Sequence, residues 1–164
     1  MILTSPVFQD HKHIPTRYTG EGEDVSPPLE WSEIPKNARE FVLICEDPDA
    51  PAQPGHPYPF VHWMTYNISP NVSSLPEGLP ANELRLKLPV SLEQGTNSFG
   101  KVGYRGPMPP KGSGSHHYRF TLYALDAELG IRPALTKERL LKAMDGHVIS
   151  TATLTGVYES KLTH

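Results

Sequence analysis

Hydrophobic and polar residues form short apolar runs or alternate in five segments that predict β-strands. Residues 41–45 are continuously apolar and contain β-branched side chains, which is typical of a strand buried on both faces. Residues 61–68 and 116–125 alternate between two faces, and the alternation over residues 84–88 predicts a half-exposed strand. Residues 148–158 are rich in threonine, valine and isoleucine and predict a late strand.

One segment has the signals of an α-helix instead. Thr136 is suited to cap the start of this helix, and Gly146 is suited to end it. Leu140, Leu141 and Met144 predict its buried stripe. Several strands with so little helix predict a mainly β domain built from two packed sheets.

Proline and glycine are frequent enough to refine this picture, since 18 prolines and 13 glycines occur among 164 residues. Breakers at this density exclude long helices and favour short strands joined by shaped loops. They cluster at residues 48–59 and 106–114, between predicted strands, and loops this long in a compact domain are more often functional than idle. No repeat or linker divides the chain, so residues 1–164 are interpreted as one domain.

Charge and cysteine content narrow the class of protein further. The formal net charge is −3, whereas a nucleic-acid-binding protein is expected to carry an excess of basic residues, so we do not expect a nucleic-acid partner. The one cysteine, Cys45, excludes an internal disulfide and a cysteine-rich zinc site, and its apolar neighbours predict an inert core thiol. The sequence shows no secretion signal, lipidation motif or apolar run of about 20 residues, so we expect a cytoplasmic protein without stable membrane anchoring.

Ionisable and aromatic side chains gather at the predicted strand ends. Asp47 and Asp49 follow the first buried strand, where they either shape a proline-rich turn or orient a neighbouring histidine. His62 lies within an apolar strand, where a histidine is more often a core residue than a ligand. His116 follows the second loop and shares a strand face with Tyr118, which favours binding of a small ligand at that strand end.

Together these groups have the chemistry of a small anion pocket. Imidazole and phenol groups donate hydrogen bonds to an oxyanion, and the amides of Gly112 and Gly114 are candidate further donors. A hydrolase acting on a phosphate or carboxylate ester stays open as an alternative, with His116 as general base and Asp47 orienting a partner histidine. No nucleophile elbow, phosphate-binding loop or short metal-ligand spacing is present, so we expect neither a metal nor another cofactor.

Four stretches in this order resemble the phosphatidylethanolamine-binding protein family, in its bacterial, Raf-kinase-inhibitor-like branch. The stretches are residues 47–51 (DPDAP), the strand that carries His62, residues 106–112 (GPMPPKG) and residues 114–118 (GSHHY). The resemblance spans nearly the whole chain. It implies a β-sandwich-like domain with a large central sheet, a smaller second sheet and a few short peripheral helices.

By motif, the resemblance implies that five residues bind the ligand, namely Asp47, His62, Pro110, His116 and Tyr118. It implies a supporting role for Asp49, which holds the loop, alongside Gly112 and Gly114. Two positions depart from the family pattern: His117 stands where many members have Arg, and Asp24 stands where bacterial relatives often have Asn.

The resemblance also bears on the partners of this protein. The implied ligand is a small anion, such as phosphate, phosphoethanolamine or a carboxylate, and a homodimer is one implied arrangement. The sequence thus favours a binding protein over an enzyme and leaves a regulatory role open.

Overall fold

The computed structural model describes residues 1–52, 54–55 and 58–162. Positions 53, 56 and 57 of the first proline-rich loop and the last two residues of the chain lie outside this description. The described part contains ten strands and one α-helix, in the order β1 (Ile2–Thr4), β2 (Lys12–His13), β3 (Leu29–Ser32), β4 (Glu40–Asp47), β5 (Phe60–Ile68), β6 (Ser74–Leu75), β7 (Arg85–Leu86), β8 (Leu92–Gln94), β9 (His116–Leu125), α1 (Lys137–Met144) and β10 (Val148–Tyr158).

The strands form a large sheet and a small one. The large sheet has the order β2-β10-β9-β4-β5-β8-β7, with its long strands at the centre, and the small sheet has the order β1-β3-β6. All pairs are antiparallel except β2 with β10. The prediction of a mainly β chain with a large and a smaller sheet is confirmed. Instead of several peripheral helices, the described residues hold α1 and one 3-10 turn at Thr16–Tyr18.

The centre of the large sheet is covered on both faces. On one face, Trp31 of the small sheet packs edge-on against Phe41 of β4, with ring centres 5.6 Å apart. On the other face, Leu140 of α1 belongs to the same apolar cluster as Val42. Every residue of β4 is therefore buried, as the apolar run over residues 41–45 predicts. Burial also raises the pKa of the Cys45 thiol well above its ordinary value, in agreement with an inert core cysteine.

The helix agrees with its sequence signals in all but one residue. The Thr136 hydroxyl accepts a backbone N–H of the first turn at 3.4 Å, and Gly146 lies just past the end with a φ of 80°. Leu140 and Met144 are buried against the large sheet. The prediction for Leu141 is wrong, because this side chain is 39% exposed. One residue beyond Leu140 corresponds to about 100° of rotation around the helix, which turns Leu141 away from the sheet.

The predicted strand over residues 84–88 is also longer than the observed one. Only Arg85–Leu86 pairs, as the edge strand β7 of the large sheet. Leu86 is buried, but Leu84 is 44% and Leu88 is 82% exposed. The alternating pattern continues past the point where β7 has a partner strand, since β8 pairs with it at only two positions.

Candidate functional site

Antiparallel pairing brings distant residues together at one end of the large sheet. Asp47, the last residue of β4, lies opposite Phe60 at the start of β5. On the other side of β4, Glu46 pairs with Arg119 near the start of β9. The loops that leave these strand ends enclose a cavity of about 150 Å³. Five of the residues predicted from the sequence line this single cavity, namely Asp47, His62, Pro110, His116 and Tyr118.

Asp47 and His116 form a buried pair in the cavity. Oδ2 of Asp47 lies 2.7 Å from Nδ1 of His116, and the two side chains are 4% and 5% exposed. Oδ1 of Asp47 accepts the backbone N–H groups of Asp49 at 2.7 Å and Ala50 at 3.1 Å, so the carboxylate is fixed in orientation. Because an ionised carboxylate only accepts hydrogen bonds, Nδ1 of His116 carries the proton and Nε2 is its second functional nitrogen.

This geometry changes the pairing that the hydrolase alternative expects. Asp47 orients His116 itself rather than a second histidine. Nε2 of His116 lies 3.1 Å from Oγ of Ser113, a residue that the sequence reasoning did not select.

His62 contributes a neutral imidazole. Its Nδ1 lies 2.5 Å from the backbone carbonyl oxygen of Arg105, and since a carbonyl only accepts, Nδ1 is protonated. Burial lowers the pKa of His62 below its ordinary value, although the Arg105 carbonyl acts in the opposite direction. The uncharged ring therefore keeps an unprotonated Nε2 as a hydrogen-bond acceptor. His62 is thus a core histidine that also lines the cavity.

Tyr118 lies between the two histidines. Its ring meets the His62 ring edge-on at 5.1 Å and stacks on the His116 ring at 6.4 Å. Burial raises the pKa of the phenol, so Tyr118 stays protonated at neutral pH and is available as a donor. Among the described residues we find no hydrogen-bond partner for its hydroxyl.

An apolar wall completes the cavity, and it is a part of the site that the sequence reasoning missed. Phe60, Phe99, Met108 and Pro109 line this wall. The Phe60 and Phe99 rings meet edge-on at 4.9 Å, and Met108 is 56% exposed at the opening. A ligand with a polar head and an apolar substituent fits these two contrasting sides.

A second Asp–His pair lies just outside the cavity. Oδ2 of Asp49 accepts both the backbone N–H and the Nδ1–H of His117 at 2.7 Å. Partial burial alone would raise the pKa of Asp49, but these two hydrogen bonds outweigh it and lower the pKa. His117 points away from the cavity, as the alternation of β9 predicts, and Asp49 links the first loop to β9.

Residues 4–159 match the family model described as phosphatidylethanolamine-binding protein. The chain belongs to the phosphatidylethanolamine-binding protein family. A UPF0098 protein from Pyrococcus abyssi is 46% identical over 161 residues, which cover 98% of this chain and 86% of that protein.

Solved structures from bacterial relatives share the fold. A crystal structure described as a phosphatidylethanolamine-binding protein homologue from Chlamydia trachomatis has a TM-score of 0.85 and 43% identity, with 97% of each chain covered. YbcL from Escherichia coli, described as a new member of the mammalian family, has a TM-score of 0.84 and 33% identity, with 98% of each chain covered.

Two family motif glycines shape the second loop rather than line the cavity. Gly112 and Gly114 both have a φ of 79°, which favours glycine, and neither is among the described lining residues. Ser113 lies between them, and its backbone N–H donates to the Pro110 carbonyl at 3.0 Å. This four-residue turn places Ser113 close to His116. The sequence signal for this contact is a Pro-x-Gly-Ser stretch whose serine lies three positions before a histidine.

Other parts of this family member offer less chemistry. A larger cavity of about 330 Å³ lies at the opposite end of β4, beside Glu40 and Asn67, but it has no histidine in its lining. Across residues 1–52, 54–55 and 58–162, no three His, Cys, Asp or Glu side chains group closely enough to hold a metal ion. None of the helices described in that part has the length and apolar character needed to cross a membrane.

Proposed function

We propose that the cavity at the ends of β4, β5 and β9 binds a small anion, of the phosphate type or the carboxylate type. The observation that carries this proposal is the convergence of the Asp47–His116 pair, His62 and Tyr118 on one cavity. Tyr118 offers its O–H to an oxyanion, and His62 offers an Nε2–H once its ring takes up a proton, within a small cavity.

The size of the cavity favours a head group over a whole lipid. Its volume of about 150 Å³ is below the range of roughly 300–1,000 Å³ that is usual for drug-sized ligands. The apolar wall accommodates a short organic substituent on the anion, such as the methylene groups of phosphoethanolamine. Membership of the phosphatidylethanolamine-binding protein family supports a head group of this kind.

Proton uptake by His62 links binding to pH. The neutral His62 ring presents an acceptor to the cavity, whereas the protonated ring presents a second N–H donor and a positive charge. A bound anion therefore raises the pKa of His62, which burial holds low in the free protein. Affinity falls as the pH rises through the pKa of His62 in the complex, because the charged form is lost there.

A surface guanidinium adds positive potential near the opening. Arg105 lies over the Phe99 ring, with the guanidinium carbon 5.7 Å from the ring centre. Phe99 lines the cavity, so this charge lies close to an entering anion. The Asp24 carboxylate lies 3.8 Å from Nε of Arg105 and neutralises part of this charge.

An NMR titration of the histidine side chains with phosphate, phosphoethanolamine or acetate tests the proposal. We expect His62 and His116 resonances to shift with a common saturation curve, and the pKa of His62 to rise in the complex. His147 is the internal control, because it pairs with Asp126 at 2.9 Å on the exposed surface. This pair lies at the opposite end of β9 and β10 from His116. No shift at His62 and His116 with phosphate at tens of millimolar, or an equal shift at His147, contradicts the proposal.

A pair of tyrosine variants isolates one hydrogen bond to the anion. Tyr118→Phe removes the hydroxyl in the cavity and should weaken phosphate binding roughly 10- to 150-fold, since a hydrogen bond to a charged group contributes roughly 1.5–3 kcal/mol. Tyr123→Phe is the matched control on the same strand, and its affinity should equal that of the wild type. Equal affinities for all three proteins contradict a donor role for Tyr118.

A further inference from the structure

We propose that Ser113 is a nucleophile that takes an acyl group from carboxylate esters, with His116 as its general base and Asp47 as the group that orients the base. The three side chains stand in series. Oγ of Ser113 lies 3.1 Å from Nε2 of His116, and Nδ1 of His116 lies 2.7 Å from Oδ2 of Asp47. A hydroxyl, an imidazole and a carboxylate in this order form the arrangement that activates serine in acyl-transfer enzymes.

The orientation of the imidazole is the one that this chemistry requires. Asp47 is held by two backbone N–H groups and accepts the Nδ1–H of His116. In the neutral ring, Nε2 is therefore the unprotonated nitrogen, and it is the nitrogen that faces Ser113. The 3.1 Å separation lies within the hydrogen-bond reach of about 2.6–3.2 Å expected between a nucleophile and its base.

The turn from Pro110 to Ser113 positions the hydroxyl. The backbone N–H of Ser113 donates to the Pro110 carbonyl at 3.0 Å, and the Ser113 hydroxyl donates to the same oxygen at 2.5 Å. A hydroxyl has one proton and rotates freely, so the Pro110 carbonyl and Nε2 of His116 compete for it. Rotation toward Nε2 aligns the O–H for transfer without moving the backbone.

The reaction balances as two acyl transfers. Oγ of Ser113 attacks the ester carbonyl carbon while the hydroxyl proton moves to Nε2 of His116. The ester C–O bond then breaks, and the same proton passes to the departing alkoxide, which leaves as an alcohol. Water attacks the acyl-serine in the second half and gives a proton to Nε2. The bond between the acyl carbon and Oγ of Ser113 breaks and this proton returns to Oγ. The carboxylic acid leaves and gives its own proton to solvent, which makes it a carboxylate.

The cavity beside Ser113 suits a short acyl group. Phe99 and Met108 provide apolar contacts for the acyl chain, and the volume of about 150 Å³ limits its length. Tyr118 is the hydroxyl donor in the cavity that is available to the developing oxyanion. Ser113 itself is exposed, which leaves the alcohol side of the ester open to solvent. The carboxylate product is itself an anion of the kind proposed to bind this cavity.

Acetylation by p-nitrophenyl acetate tests the inference with the full chain. We expect a burst of p-nitrophenol and an acetyl group on Ser113, located by mass spectrometry of the acid-quenched protein. Ser113→Ala should reduce the burst at least a hundredfold, consistent with loss of an activated nucleophile. Ser115→Ala is the matched control in the same loop, and it should keep the burst of the wild type. An unmodified Ser113, or an unchanged burst in Ser113→Ala, overturns the inference.

Phosphate titration of the same variants separates this inference from the proposed anion binding. Ser113→Ala should still shift the His62 and His116 resonances with phosphate, which also shows that the variant is folded. Anion binding without acetylation rejects the nucleophile and leaves the binding function intact. Acetylation without any phosphate-dependent shift rejects the anion site and leaves the nucleophile intact.

Discussion

Asp47 connects two loops through its two carboxylate oxygens. Oδ1 holds the turn that follows β4, and Oδ2 holds His116 at the start of β9. A carboxylate that is 4% exposed is stable only when paired, and Asp47 has three hydrogen bonds to compensate for its lost hydration. The residue therefore determines both the shape of the first loop and which ring nitrogen of His116 carries the N–H.

Asp47→Asn separates these two roles. The amide oxygen can still accept the N–H groups of the turn, but the amide N–H₂ now faces Nδ1 of His116 and favours the opposite tautomer. We expect the free energy of unfolding in urea to fall by about 1–3 kcal/mol and phosphate affinity to fall about tenfold. Asp126→Asn changes the exposed pair with His147 and should alter stability by less than about 0.5 kcal/mol. Equal destabilisation by the two variants argues against a special role for Asp47.

At the scale of elements, the second loop is attached to the N-terminal segment through Asp24. Oδ1 of Asp24 accepts the backbone N–H of Gly106 at 2.7 Å. A Cβ on Gly106 would lie 2.3 Å from the Tyr18 carbonyl oxygen, so only glycine permits this approach. Asp24 has a φ of 57°, a conformation that both Asp and Asn tolerate. An Asn at this position would therefore keep both the acceptor and the backbone conformation.

Two substitutions at position 24 measure this attachment. Asp24→Asn should leave the urea unfolding midpoint close to that of the wild type. Asp24→Ala removes the acceptor of the Gly106 N–H and places alanine at a positive φ, so we expect a loss of about 1–3 kcal/mol. The same stability for Asn and Ala at this position shows that the hydrogen bond does not hold the loop.

The long strands and the helix are predictable because each has enough residues to show a regular pattern of hydrophobic and polar positions. The strands at 116–125 and 148–158 and the helix after Thr136 were identified within a few residues of their bounds. Strands of two to four residues, such as β6 and β8, are too short to show alternation, and their pairing depends on neighbours that the local sequence does not specify.

The site was predictable to a different extent. Histidines and aspartates at strand ends indicate chemistry, but their meeting at one cavity depends on the order of β9, β4 and β5 in the sheet, which the sequence does not show. The family resemblance implies the shared pocket without that order. Ser113 was missed because its contact with His116 arises from a turn and not from a strand period. Phe99 was missed because a single aromatic residue in a loop is an ambiguous signal.

At the scale of the whole molecule, two buried groups make the free energy of unfolding depend on pH, with opposite signs. Burial lowers the pKa of His62 in the folded protein. The contribution of His62 to stability is therefore fully present above the pKa of an ordinary histidine, and it is lost as the pH falls through the lower pKa of the folded state. Burial, with the nearby Glu128 and Glu93 carboxylates, raises the pKa of Glu40 despite an opposing N–H from Leu129. The folded state then retains a proton that the unfolded state releases, and stability falls as the pH rises through that window.

Glu40→Gln tests the second of these effects. Glu40 is 4% exposed, and among the described residues its Oε1 has no partner, whereas Oε2 accepts the Leu129 N–H at 3.1 Å. The amide keeps an acceptor for Leu129 and carries no charge. We expect the free energy of unfolding to exceed that of the wild type at pH 7 and to match it near pH 4, measured by urea titration. Glu30→Gln, an exposed change on β3, should show no such pH-dependent difference.

The cavity is formed at the ends of three separate strands, so a ligand in it affects the stability of the whole fold. Asp47 and His116 are 69 positions apart in the chain, and His62 and Arg105 are 43 positions apart. A bound ligand that contacts all of these segments links them reversibly. Binding then stabilises the folded state by RT ln(1 + L/Kd), where L is the free ligand concentration, because no partly opened chain can assemble the same set of contacts.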